Sequence, residues 1–167
     1  MKVVFKTLLP VLAGAAMLIS AASGASAQNL KDQIVGTWTL VSTQVTKNGK
    51  TSDIFGPHPL GQFMFDSSGH FSTITLNPAI PKFASNNRAT GTPAENKAVV
   101  QGSISTFGTY AINPDGSVTF HYIGATFPNW IGVDQKRTIV ISGDQMKYTN
   151  PGASVGGTAV LVLKRAK

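Results

Sequence analysis

Three histidines, His58, His70 and His121, are the groups best suited to move protons near neutral pH in a chain of 167 residues that contains no cysteine. They lie in separate segments without His-x-His or His-Glu-x-x-His spacing, so a zinc or other metal site is unsupported. The lack of cysteine removes thiol nucleophiles and thiolate metal ligands together. No Gly-x-Ser-x-Gly elbow marks a hydrolase nucleophile, and neither Gly-x-Gly-x-x-Gly nor a phosphate-cradling glycine loop is present, so no cofactor is expected. Asp66, Asp115 and Asp144 stand in turns that account for them, which leaves no carboxylate pair of the glycosidase kind. The run Gly152-Ala153-Ser154-Val155-Gly156-Gly157 has no helix after it and reads as a hairpin connector.

Two kinds of chemistry remain. His121 as general acid or base, with Tyr110 hydrogen-bonding a developing oxyanion, would suit a cofactor-free isomerase or cyclase. The other is binding. Phe127-Pro128-Asn129-Trp130 sets two aromatics and an amide at a strand end, material for an apolar pocket with one orienting polar group. Arg137 shares a strand face with Ile139 and Ile141 and can anchor a carboxylate or phenolate. Packing alone accounts for Tyr110 and Trp130 equally well.

The elements that must position these groups are short strands punctuated by turns. Ile34 to Thr46 is rich in β-branched residues and stops at Lys47-Asn48-Gly49-Lys50, where Asn-Gly suits a hairpin turn. Gly61 to Phe65 and His70 to Leu76 flank Asp66-Ser67-Ser68-Gly69; Ser105 to Ile112 and Ser117 to Ile123 flank Asn113-Pro114-Asp115-Gly116. Gln135 to Ser142 and Gln145 to Thr149 flank Gly143-Asp144, and Gly157 to Lys164 ends the series. About eight strands joined mainly by hairpins make an antiparallel meander. One stretch departs from it. After a long Pro- and Asn-rich loop over 77–91, Thr92-Pro93-Ala94-Glu95 has capping-box spacing, which predicts a short helix over Ala94 to Gln101 ended by Gly102.

Lys2 and Lys6, the apolar run Leu8 to Ala22 and the small residues Ala25-Ser26-Ala27 describe a bacterial secretory signal peptide over 1–27, placing the product in the periplasm or outside, without a stable membrane anchor after cleavage. Residues 28–167 then form one domain. The chain is basic, with a formal net charge of +7, yet no basic run is longer than two residues, so a nucleic-acid groove is not expected. A basic surface still favours anionic ligands.

Gly36-Thr37-Trp38, Phe55-Gly56-Pro57-His58-Pro59-Leu60-Gly61, Pro81-Lys82-Phe83, Phe107-Gly108-Thr109-Tyr110 and Phe127-Pro128-Asn129-Trp130-Ile131-Gly132, in that order and spacing, resemble the bacterial and fungal lipocalin-like domain family. The resemblance spans essentially all of 28–167. It implies an all-β fold, a closed antiparallel up-and-down β-barrel of about eight strands with one short helix in a long loop, Trp38 closing the floor, and a central cavity. Most members have no established activity, and many are cytoplasmic and more acidic, so the family does not supply a ligand.

In such a barrel, period-two alternation of Ser117 to Ile123 sends either Val118, Phe120 and Tyr122 or Thr119, His121 and Ile123 inward. Packing favours the first set; the resemblance favours His121. Arg137, in turn, is expected to stack on Trp38 at the floor, as basic residues do in lipocalin-type barrels, in preference to holding an anion. The sequence thus points to an exported barrel binding a small apolar or aromatic molecule through Tyr110, His121, Phe127, Asn129 and Trp130. The alternative is the isomerase or cyclase, with His121 and Tyr110 catalytic.

Overall fold

A computed structural model describes residues 29–167, and the leader expected over 1–27 lies outside them. Residues 29–34 are helical and run into β1 (Gly36–Lys47). Then follow β2 (Lys50–Ser52), β3 (Leu60–Phe65), β4 (His70–Leu76), β5 (Ser103–Ile112), β6 (Val118–Ala125), β7 (Asp134–Ser142), β8 (Gln145–Asn150) and β9 (Thr158–Arg165). Every pairing is antiparallel, in the order β2-β1-β3-β4-β5-β6-β7-β8-β9, and β9 returns to pair with β1. The short β2 hangs on the far end of β1, so eight strands close the barrel as expected. Closure leaves the eight without a free edge.

One end of the barrel is sealed. Trp38 is fully buried there, and its Nε1 donates to the Ile34 carbonyl at 2.8 Å. The Arg165 guanidinium lies over the indole, 4.2 Å from the ring centroid, and donates to the carbonyls of Val35 and Gln33. Arg165, at the end of β9, therefore takes the stacking role that the sequence suggested for Arg137. Gly36 makes room for it: its φ is +124°, and a Cβ there would stand 3.1 Å from Arg165 Nη1. Leu30 and Ile34 drive the helical turn against the same floor.

Above the floor the barrel is solid. Phe120, at its centre, packs edge-to-face on Phe71, with ring centroids 4.8 Å apart, and touches Phe65, Tyr122 and Tyr148. Two irregularities adjust which side chains point in. A register shift between Leu40 and Ser42 lets both Leu40 and Thr43 face the core. A second lies between Phe107 and Gly108, where a Cβ on Gly108 would meet the His121 carbonyl oxygen at 1.9 Å. That glycine admits a neighbouring backbone, not a ligand.

The expected helix is present as Pro93–Gly102, with the Thr92–Glu95 capping box formed in both directions. Glu95 has a second task, since its Oε1 accepts from the Ala84 N–H at 2.8 Å and ties the preceding loop to the helix. Asn77 and Asn87 accept backbone N–H groups two residues on, which makes that loop a chain of local turns.

Candidate functional site

Toward the open end the side chains shrink. Thr73 and Thr75 of β4, Thr106 of β5 and Ala159 of β9 replace the aromatics found below, and they leave a cavity of about 70 Å³. Phe63, Tyr122, Tyr148 and Leu161 wall it, and Trp130 closes one side. Tyr122 packs on Trp130 with ring centroids 5.4 Å apart, while Phe63 meets Tyr148 at 5.5 Å and right angles. The volume is about half of that in which an apolar cavity holds benzene. A larger molecule must therefore project through the mouth.

A larger space adjoins the cavity. Ile54, Ile104 and Ser154 line both the cavity and an adjoining groove of about 430 Å³. Phe127, Val155 and Val100 of the capped helix complete the groove, and Phe127 meets Trp130 edge-on at 5.6 Å. The loop–helix excursion between β4 and β5 thus forms one lip of the opening.

The polar chemistry lies at the wall shared by Tyr122, Trp130 and Tyr148. Arg137 projects inward from β7 and is only 3% exposed. Its Nη2 donates to the Tyr122 hydroxyl at 3.1 Å and to Gln135 Oε1, and its Nη1 donates to the Lys136 carbonyl at 2.9 Å. Trp130 stands 6.0 Å from the guanidinium carbon. Burial pushes the Tyr148 phenol far above its usual range, with the Tyr122 hydroxyl adding to the effect and Arg137 opposing it. A phenol is neutral at physiological pH even at its ordinary value, so Tyr148 brings a hydroxyl and no charge to this wall.

Of the residues the sequence singled out, the structure brings Phe127 and Trp130 together at the mouth. The other three stand elsewhere. Asn129 sits in the 3-10 turn Pro128–Trp130 and faces solvent. Tyr110 is at the floor end, where its hydroxyl donates to the Asp66 carbonyl at 2.7 Å and its ring packs on Phe65. Partial burial, reinforced by Asp66, raises its pKa. His121 lies on the outer wall: its Nδ1 is 2.7 Å from Asp134 Oδ1, and both side chains are at least half exposed. The inward set on β6 is Val118, Phe120 and Tyr122, which corrects the placement of His121 in the cavity. Hydrophobic burial decides the parity, because the opposite register would put Phe120 and Tyr122 into water.

The isomerase pair consequently never meets. His121 pairs across the strands with Thr109, so the histidine and Tyr110 fall on opposite faces of the wall. Sequence reasoning missed Tyr148 and treated Tyr122 only as core. The signal for Tyr148 was the alternation of Met146, Tyr148 and Asn150 along β8, all buried. Among the described residues no group of three His, Asp or Glu side chains is placed to hold a metal ion.

Among curated proteins, none matches this chain. The lipocalin-like domain, in contrast, matches residues 35–166, from the residue before β1 to the residue after β9. With a closed barrel, a tryptophan-sealed floor and a cavity at the opposite end, the chain belongs to the lipocalin-like domain family.

Proposed function

We propose that this protein is a carrier or binding barrel for a small apolar or aromatic molecule, held in the open-end cavity with its body extending along the mouth groove. The observation that carries the reading is that an aromatic-walled cavity and a larger groove share Ile54, Ile104 and Ser154 in their linings, with Phe127, Val100 and Val155 adding apolar surface to the groove. Export to the periplasm or the medium belongs to the same proposal. It is supported by the basic start, apolar run and Ala25-Ser26-Ala27 of the leader.

The chain has two tryptophans, and Trp38 is sealed in the floor, so Trp130 is the natural reporter. Titration with the neutral probe N-phenyl-1-naphthylamine is expected to quench Trp130 and enhance the probe's emission. Trp130→Ala should weaken binding by about tenfold while the circular dichroism of the barrel is retained. Unchanged affinity in the variant would move the site away from this cavity, and no binding at all would remove the carrier reading.

A further inference from the structure

We infer that the ligand of this cavity is an organic monoanion, a carboxylate whose charged head seats between Tyr122 and Tyr148 against Arg137 and whose apolar body points out through the mouth. This rests on the binding-barrel reading and adds the chemical class and the direction of entry.

A buried charge is costly unless it is paired. Arg137 is buried, and its three hydrogen bonds go to a phenol, an amide oxygen and a backbone carbonyl, all neutral. Its Nε has no hydrogen-bond partner among the described residues. The chain cannot supply the missing anion. Its seven acidic residues are Asp32, Asp53, Asp66, Glu95, Asp115, Asp134 and Asp144; the six aspartates are exposed, and Glu95 is engaged in the capping box and the loop.

The donors around Arg137 favour a carboxylate. The Tyr122 hydroxyl accepts from Nη2, so its own proton is free for an acceptor. The Tyr148 hydroxyl lies within hydrogen-bond reach of Tyr122 and Arg137, so the two phenols bond to each other and still leave one proton between them for a ligand. Both tyrosines line the cavity, with Arg137 directly behind them. Phenol and guanidinium donors converge there without an acid to receive them, and a carboxylate oxygen pair fills that need. The remaining walls carry no charge: Phe63, Leu161 and Ala159 are apolar, and Thr73, Thr75, Thr106, Asn150 and Ser154 are neutral, so Arg137 is the one cation beside the cavity among the described residues. A chamber of about 70 Å³ takes the head and the carbons next to it, which leaves the tail to run between Ile54 and Ile104 into the groove.

The test is calorimetric titration of the purified, delipidated protein with octanoate and with 1-octanol, which share a tail and differ in charge. Octanoate should bind about tenfold more tightly or better, the scale of a hydrogen bond to a charged group. Arg137→Met should erase that preference while the circular dichroism of the barrel is retained. Equal binding of the two probes by the wild type, or a preference that survives Arg137→Met, overturns the inference and leaves the carrier reading standing. If N-phenyl-1-naphthylamine, octanoate and octanol all fail to bind, both fall together. Should Arg137→Met not fold, Tyr148→Phe supplies the decision, since it keeps the ring and removes one donor. Loss of most of the octanoate preference supports the inference, and full retention overturns it.

Discussion

His121 and Tyr122 are adjacent in the chain, and the pleat of β6 sends one into solvent and the other into the barrel. The histidine's polar partner, Asp134, is itself exposed, and a pair of that kind contributes little. His121→Gln is therefore expected to change stability by less than about 0.5 kcal/mol and to leave probe affinity unchanged, measured by denaturant midpoint and fluorescence titration. A large loss of binding would show that the ring reaches the ligand by some route other than the barrel interior. The inward face of β7 was legible, because Arg137, Ile139 and Ile141 alternate with exposed residues. Which arginine reaches Trp38 was not. Arg137 and Arg165 are both basic residues on inward-alternating strands, and only the register that pairs Trp38 directly with Arg165 separates their roles. Cross-strand register is a long-range property, invisible to a local window.

At the scale of elements, local chemistry was the readable part. Turn residues and β-branched runs placed each barrel strand to within about three residues, the usual uncertainty of element ends, and the capping box located the helix. What escaped notice was the short β2, the helical turn over 29–34 and the two register shifts, each set by tertiary contacts. The helix at the mouth carries its own pH dependence. Hydrogen bonds from the Ala84 N–H, then from Thr92, hold the Glu95 carboxyl below its ordinary value. A carboxyl whose folded value is depressed contributes stability at neutral pH, and that contribution is lost as pH falls through the folded value. In an NMR titration down to roughly pH 3 the Ala84 and Thr92 amides should shift together with Glu95 protonation, while amides of β6 and β8 stay fixed. Glu95→Gln should abolish the linked shift, and Thr92→Ala should cost about 1 kcal/mol, read as fraying of Pro93–Gly102.

For the whole molecule, the two ends of the barrel differ: one is sealed, and the other holds the cavity that we propose binds a ligand. The floor is closed by a tryptophan, an arginine and the helical turn that precedes β1, with Trp38 Nε1 and both terminal nitrogens of Arg165 donating to backbone carbonyls. At the open end small side chains replace aromatic filling, and a buried arginine has one donor without a partner among the described residues. This division makes the N-terminal segment a quantitative test of where the domain begins. Cleavage at the proposed leader site after Ala27 would leave Leu30 and Ile34 in the chain, both buried in the core cluster. Deleting residues 1–27 should accordingly leave the denaturant midpoint nearly unchanged. Extending the deletion through residue 34 removes the burial of both side chains, on the order of 3 to 5 kcal/mol by transfer energies. It also takes away the Ile34 carbonyl that satisfies Trp38 and one of the two carbonyls that satisfy Arg165. The longer deletion is expected to shift the Trp38 emission to the red and to collapse the midpoint, because water then reaches an indole N–H and a guanidinium packed for a dry floor. If both truncations unfold alike at the wild-type midpoint, the helical turn is not part of the closure and the floor is sealed by β1 and β9 alone.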